Sequence, residues 1–85
     1  MSPSQCRAAR ALLGWSTQQL ASRADVGVNT VNRFEGGQDA RLSSVDKIRV
    51  ALDAAGVIFI PANGEDVGVR LRRDRPAPAS MEPSA

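Results

Sequence analysis

The chain has 85 residues, 42% of them hydrophobic and 24% charged, which is typical of a single globular domain with a small core. It contains no histidine and one cysteine, so an intramolecular disulfide is excluded and neither a metal site nor a cofactor is expected. The formal net charge of +2 is too small to indicate a nucleic-acid partner, so any such argument depends on where the basic residues lie.

The first predicted helix opens at residues 2–5, Ser-Pro-Ser-Gln. A serine cap, a proline at the first helical position and a glutamine three residues after the cap form a strong helix-start pattern. Apolar residues then recur at helical spacing, at Cys6, Ala9 and Leu13. These signals predict a helix over residues 3–13 that ends at Gly14. Cys6 is expected to be buried as a small hydrophobic residue rather than exposed as a redox sensor.

Three large side chains in this region have different expected surroundings. Arg10 lies on the inward side, one turn from Cys6, where a charge is costly without a partner. Arg7 points outward by its spacing, and we expect it to be solvated. Trp15 follows the helix and is expected to fill the space between the first two helices rather than to bind a ligand.

Residues 16–25 predict a second, shorter helix. Ser16 and Gln19 repeat the capping pattern. The apolar residues that follow share one face: Leu20, Ala21 and Ala24. The small side chain of Ala21 allows another helix to approach closely. Asp25 stands where the chain must reverse with a positive φ, a conformation that aspartate tolerates better than most residues.

A third helix is predicted over residues 28–35, with Val31 and Phe34 turned inward. Its outward residues are almost all hydrogen-bonding: Asn29, Thr30, Asn32 and Arg33. Two short helices joined by a tight turn form a helix-turn-helix, whose second helix fits the major groove of DNA. Taken alone, such a polar face also fits a merely solvated helix. The small Ala21, the turn and the apolar spacing together favour DNA recognition.

The segment after the third helix begins with a glycine-rich turn, residues 36–38, whose backbone N–H groups can approach a phosphate closely. Arg41 follows as a further phosphate contact. The next apolar residues fall at helical spacing: Leu42, Val45, Ile48, Ala51 and Leu52. They predict a fourth helix over residues 42–55, with Asp39 or Ser43 as its cap and Gly56 as its end.

Beyond Gly56 the apolar period changes from that of a helix to that of a strand. Residues 57–60 are continuous β-formers, residues 61–66 contain an Asn-Gly turn signal, and residues 67–72 alternate strictly. We therefore predict a β-hairpin, within an element spanning residues 57–73, that pairs with a second copy. The residues assigned to this pairing are Val57, Phe59, Val67, Val69 and Leu71. The alternative is a hairpin that folds back on its own helices in a monomer.

The end of the chain is first basic and then poor in apolar residues. The densest basic run comprises Arg70, Arg72, Arg73 and Arg75. This run either contacts the DNA backbone or protects the strand edge from unwanted pairing. Residues 74–85 are rich in proline, alanine and serine and are expected to be disordered.

The combined pattern resembles the lambda-repressor/Cro-like helix-turn-helix regulators, also called the xenobiotic-response-element (XRE) type. The resemblance covers residues 4–56 and rests on Arg10, Leu13, Gly14, Trp15, Ser16, Leu20, Ala21, Val26, Val31, Glu35, Gly37, Leu42, Val45, Ile48, Ala51 and Leu52. The chain departs from the family at Asp25, where glycine is usual, and at Thr17, where the family has a glutamine that touches phosphate. The resemblance implies a mainly α fold, with a four-helix DNA-binding domain over residues 1–56 followed by a short C-terminal β-hairpin.

The same resemblance implies a sequence-specific transcription regulator that binds double-stranded DNA as a homodimer, reads an inverted repeat and acts as a repressor. Base edges would be contacted by Val28, Asn29, Asn32 and Arg33. Phosphates would be contacted by Thr17, Gln18, Thr30, Gly37, Gln38 and Arg41. The resemblance also implies that Arg10 pairs with Glu35, which would align the first helix against the third.

The alternative function is protein binding on the same fold, as an antitoxin or an anti-activator whose partner is a toxin or an activator. An enzyme is not expected, because the chain has no histidine and its carboxylates are scattered singly. No small-molecule ligand is expected either. The longest apolar run, residues 57–60, is too short to span a bilayer, so we expect a soluble, cytoplasmic protein without membrane contact.

Overall fold

A computed structural model of the chain describes the backbone of residues 1–63 and 66–72 and the side chains of residues 1–60 and 68–72. Within these residues, helices precede a C-terminal antiparallel hairpin. The elements are α1 Pro3–Leu13, α2 Thr17–Ala24, α3 Val28–Glu35, α4 Leu42–Ala54, β1 Val57–Asn63 and β2 Asp66–Leu71. The predicted mainly helical fold with a C-terminal hairpin is confirmed. The predicted disordered tail, residues 74–85, lies outside the described residues.

Both predicted capping boxes are present, at the starts of α1 and α2. The Ser2 hydroxyl accepts from the Gln5 N–H at 3.1 Å, and the Gln5 amide oxygen accepts from the Ser2 N–H at 2.9 Å. Ser16 and Gln19 form the same reciprocal pair, at 3.1 and 2.8 Å. Each pair satisfies two N–H groups that a helix N-terminus otherwise leaves without partners. This explains why both helices begin where the sequence predicts.

The turn between α2 and α3 depends on the backbone of Asp25. This residue has φ 58° and ψ 47°, the left-handed conformation that its position predicted. In the described part of the chain it is the only residue other than glycine with a positive φ. The following N–H, that of Val26, donates to the Ala21 carbonyl at 3.0 Å. Ala21 itself is 4% exposed, and its helix packs against both α3 and α4.

The start of α4 is capped differently from the prediction. Its N-cap is Arg41, whose side chain makes no capping hydrogen bond. Neither Asp39 nor Ser43 is therefore the cap, because Ser43 is already inside the first helical turn and Asp39 precedes the cap by two positions. The helix also ends one residue earlier than predicted. Its apolar spacing located the start correctly, whereas residue type alone did not identify the cap.

The core lies among the four described helices and the first residue of the hairpin. It consists of Cys6, Ala9, Leu13, Leu20, Ala21, Ala24, Val31, Phe34, Ile48, Leu52 and Val57. Every apolar residue predicted to face inward in α1, α2 and α3 belongs to this set. In α4, Ile48 and Leu52 are fully buried, whereas Leu42 is 84% exposed because the helix starts beyond the edge of the core. No helix in the described part of the chain is both long enough and apolar enough to cross a membrane.

The hairpin strands are longer than predicted. β1 continues to Asn63 and β2 begins at Asp66, so most of the predicted loop, residues 61–66, belongs to strands. The strands pair regularly over residues 57–60, and the register then shifts. Pro61, which has no N–H to donate to the ladder, lies in this irregular part.

The apolar face of the hairpin packs on the chain's own helices. Val57 is fully buried in the core. Further residues of the same face pack against that core: Phe59, Val69 and Leu71. Val57 is therefore not available to pair with a second copy, whereas the assignment of Phe59, Val69 and Leu71 to that pairing stays a prediction. The side chain of Val67 lies outside the described residues. α1 and α4 both contact the hairpin, which covers apolar surface that the helices leave open.

A buried amide fastens the hairpin to α1. The Nε2 of Gln5 donates to the carbonyl of Ile60 in β1 and to that of Gly68 in β2, each at 3.0 Å. Gln5 is 7% exposed, and its amide oxygen already completes the capping box. At the base of the hairpin, the Arg72 N–H donates to the Gly56 carbonyl at 2.7 Å. One glutamine therefore both starts α1 and joins the two strands to it.

Candidate nucleic-acid interface

α3 presents a polar side to solvent. Its exposed residues are Asn29, Asn32 and Arg33, with half-buried Val28 and Thr30 beside them. The other side of the helix packs into the core, with Val31 fully buried and Phe34 only 9% exposed. None of the predicted base-contact residues is buried in the core.

The two asparagine amides of this side are available to a partner. Within the described residues, the side-chain amides of Asn29 and Asn32 make no hydrogen bond; the main-chain oxygen of Asn32 accepts from the Gly36 N–H at 3.0 Å. An asparagine amide offers donors and an acceptor together, and it can pair with the adenine edge in the major groove. The exposed side of α3 therefore carries hydrogen-bonding groups that are free to recognise another molecule.

Arg33 is held differently from the asparagines. Its Nη2 donates to the main-chain oxygen of Asp39, in the loop after α3, at 3.3 Å. Arg33 lines a cleft of about 260 Å³ between α3 and the start of α4. The cleft residues are Thr30, Arg33, Asp39, Ala40, Arg41 and Ser44. The fold thus brings a predicted base contact, Arg33, together with two predicted phosphate contacts, Thr30 and Arg41.

The glycine-rich turn after α3 uses its own N–H groups to close that helix. The Gly37 N–H donates to the Phe34 carbonyl at 3.0 Å, and the Gln38 N–H donates to the Arg33 carbonyl at 2.9 Å. The last carbonyls of a helix lack partners inside it, and these N–H groups satisfy them. Because Gly37 has no side chain and its N–H is engaged, its predicted phosphate contact has no free donor here and stays a prediction. Gln38 keeps only its exposed side chain for that role.

Two further predicted phosphate contacts lie at the start of α2. Thr17 is the first helical residue and is half-buried, and Gln18 after it is exposed. The first turn of a helix has a positive dipole end and N–H groups that favour an anion. This position is compatible with phosphate contact, and the assignment of both residues stays a prediction.

A buried ion pair fixes the C-terminal end of α3. Glu35 is 7% exposed. Arg10 in α1 donates to both carboxylate oxygens of Glu35, with Nε–Oε2 and Nη2–Oε1 distances of 3.0 Å each. Arg10 also donates through Nη1 to the Trp15 carbonyl at 3.1 Å. The hydrogen bond to Glu35 raises the pKa of Arg10 further above its ordinary value. The pair that the family resemblance implies is present.

Two more side chains of α1 converge on Glu35. The Cys6 thiol donates to Oε2 at 3.4 Å, and Arg7 donates to the main-chain oxygen. Arg7 is therefore not merely solvated as predicted, because a long arginine side chain reaches well beyond the direction that helical spacing gives it. Burial, reinforced by the charge of Glu35, raises the pKa of Cys6 to about 12. The thiol stays protonated, which does not suit a redox sensor.

Trp15 packs at the corner between α1 and α2. It is half-buried against the core, and the Arg23 guanidinium lies 4.8 Å from the centre of its ring. At this distance the cation is attracted by the aromatic face. Trp15 therefore has a packing role at this corner, and Arg23 is engaged with it.

No protein-family model matches the chain, and no curated protein matches it in sequence. Its function is therefore inferred from its residues and their arrangement.

Proposed function

We propose that the chain is a sequence-specific DNA-binding regulator of the lambda-repressor/Cro-like helix-turn-helix type, acting in the cytoplasm as a repressor. The observation that carries this proposal is the exposed polar side of α3, where the Asn29 and Asn32 amides have no partner among the described residues. α3 has 8 residues. A helix of that size is about 12 Å long, and the major groove is about 12 Å wide.

Two features hold α3 in a fixed orientation. The left-handed Asp25 sets the reversal before it, and the Arg10–Glu35 pair holds its other end. A recognition element that is already ordered loses little conformational freedom when it binds. This preorganisation favours tight and specific contact with a groove.

The proposed contacts follow from the chemistry of the exposed side. Asn29 and Asn32 suit adenine edges, and Val28 suits the methyl group of thymine. Thr17 and Gln18 at the start of α2 suit backbone phosphates on one side of the groove. These contacts would orient the helix and read sequence at the same time.

We also propose that two copies bind together on an inverted repeat, with their α3 helices about 34–36 Å apart. The inward side of the hairpin packs on the core, so the apolar surface that the hairpin itself offers for pairing is its outward side, where Ile60 is 41% exposed. Equilibrium sedimentation of the wild type and of Ile60→Asp tests this. A dimer that the substitution converts to a monomer is expected. A monomeric wild type on a duplex carrying two half-sites would contradict it.

Selection of bound duplexes from random DNA at about 150 mM salt tests the central proposal, since non-specific binding is weakened at that salt concentration. Enrichment of one short motif, repeated with two-fold symmetry, is expected. On the enriched duplex, Asn29→Ala and Asn32→Ala should each weaken binding by about 1–3 kcal/mol. Ser22→Ala, an exposed change on α2, is the control and should bind as the wild type does.

Two outcomes of these measurements would contradict DNA recognition by α3. The first is the absence of any enriched sequence, together with a stoichiometric complex with a protein, which would favour the antitoxin or anti-activator alternative. The second is wild-type affinity in both asparagine variants, which would show that another surface makes the contacts.

A further inference from the structure

The cleft between α3 and the start of α4 combines two cations with two hydroxyl groups. Arg33 and Arg41 are exposed, and Thr30 and Ser44 are half-buried. Guanidinium and hydroxyl groups are among the side-chain donors that contact phosphate oxygens in DNA complexes. Thr30 and Arg33 belong to α3, Ser44 belongs to α4, and Arg41 is the N-cap of α4. The core holds these two helices together, since Val31 of α3 and Ile48 of α4 are fully buried.

Arg33 is directed into this cleft by the protein itself. Its bond to the Asp39 main-chain oxygen, at 3.3 Å, uses one of the five N–H donors of the guanidinium. The other donors stay available inside the cleft. Contact with a guanine edge would require the side chain to leave this loop and extend along the helix, where Asn29 and Asn32 already offer free amides.

The positive charge of the cleft is not neutralised by ion pairing. Among the described residues the ion pairs are Arg10–Glu35 and Arg49–Asp46, so neither Arg33 nor Arg41 has a carboxylate within pairing distance. Asp39 also lines the cleft, and the charge of its carboxylate opposes an anion there, although its main-chain oxygen supports Arg33. Two cations against one carboxylate leave the cleft positive.

We propose that Arg33 and Arg41 clamp one phosphate group of the DNA backbone in this cleft, so that Arg33 positions the duplex and does not read a guanine. This inference rests on the proposed DNA-binding function and revises the role of one residue within it. Sequence reading by α3 then falls to Val28, Asn29 and Asn32.

The test uses the salt dependence of binding, because removing one phosphate-binding cation lowers the slope of log K against log salt by about 0.9. Fluorescence anisotropy is measured between about 50 and 200 mM salt, the range over which such slopes are resolved. Two duplexes of equal length are used, one selected by the protein and one unrelated. Because the two arginines share one phosphate, Arg33→Ala, Arg41→Ala and the double variant are each expected to lower the slope by no more than about 0.9 in total. Each should weaken binding to both duplexes by the same factor.

Two further variants separate the clamp from general charge effects. Arg49→Ala removes the same charge at a position outside the cleft, and it should leave the slope unchanged. The Nη2 of Arg49 lies 3.6 Å from Oδ1 of Asp46. Asp39→Asn keeps the main-chain oxygen that supports Arg33 but removes the opposing charge, so it should tighten binding to both duplexes. Circular dichroism confirms that each variant is folded.

The outcomes distinguish the inference from the function on which it rests. If the wild type binds neither duplex, the proposed function fails and the clamp fails with it. If the wild type binds, but Arg33→Ala weakens only the selected duplex and keeps the slope, Arg33 is a base contact and the inference alone is overturned. Saturable calorimetric binding of inorganic phosphate that Arg33→Ala abolishes, without a change in DNA affinity, would assign the cleft to a free anion instead.

Discussion

α3 and the hairpin both pack against the other helices, but they are held by different kinds of contact. α3 is held by apolar contacts and by a set of polar groups that meet at its last residue, Glu35. The hairpin is held by one apolar face and by the single amide of Gln5. Apolar contact is non-directional, whereas hydrogen bonds and ion pairs fix an angle. The element proposed to meet DNA is thus the one whose orientation is most tightly specified.

The largest effect that this comparison predicts is at Glu35. Glu35→Ala leaves the Arg10 guanidinium, whose side chain is 24% exposed, without its partner. We expect the free energy of unfolding to fall by about 3 kcal/mol, the low end for a buried pair, because Arg10 keeps some contact with water. Urea denaturation followed by circular dichroism measures it.

A matched exposed pair is the control for Glu35. Asp46→Ala breaks the Arg49–Asp46 pair, whose side chains are 48% and 64% exposed, and should cost less than about 1 kcal/mol. Equal losses in the two variants would show that the polar groups around Glu35 do not fix α3.

The next effect concerns the hairpin. Val57→Ala removes two buried methyl groups from a fully buried side chain, and we expect a loss of about 2 kcal/mol. Ile60→Ala, at a position 41% exposed on the outward side, should cost under about 1 kcal/mol. The Val57 loss should not depend on protein concentration. A loss that disappears at high concentration would show that Val57 acts between copies.

A smaller effect separates the two roles of Gln5. Gln5→Ala removes a capping group and both bonds to the strands, and we expect a loss of about 1–2 kcal/mol. Gln19→Ala is the control, because Gln19 completes the same capping box on α2 without reaching a strand, and it should cost about 0.5–1 kcal/mol. Amide hydrogen exchange should be faster in β1 and β2 only in the Gln5 variant. Unchanged exchange in the strands would contradict the fastening role.

The smallest expected effect is a gain in stability. Asp25 has a φ of 58°, so Asp25→Gly relieves a left-handed conformation and should stabilise the fold by about 0.5 kcal/mol. Gly14, with a φ of 70°, gives the opposite test, and Gly14→Ala should destabilise by about 1 kcal/mol. Thermal unfolding of both variants shows whether each substitution raises or lowers the stability of the fold. A loss of stability in Asp25→Gly would show that the aspartate side chain supports the turn.

The local signals of the sequence were enough to predict the helical part of the fold. The capping boxes at Ser2 and Ser16 and the apolar spacing gave the starts of the helices, because these features act within a few residues of the chain. The left-handed Asp25 was predicted for the same reason. The Arg10–Glu35 contact joins distant positions, and only the family resemblance implied it.

The long-range features were predicted less well. Alternation in the hairpin identified an apolar face, but the same pattern fits a second copy or the chain's own helices, and Val57 proved to be in the core. The capping role of Gln5 gave no sign that its Nε2 reaches both strands. Gly37 was expected to offer its N–H to a phosphate, yet the end of α3 uses it first.

The position of Cys6 under Glu35 has a practical consequence. The single thiol of the chain is fully buried, and it stays protonated beneath a carboxylate at the junction of α1 and α3. An alkylating reagent can therefore attack it only when the packing around α1 opens. The rate of alkylation then reports how often this opening occurs, and no introduced label is needed. If bound DNA stabilises the contact between α1 and α3, the reaction should be slower.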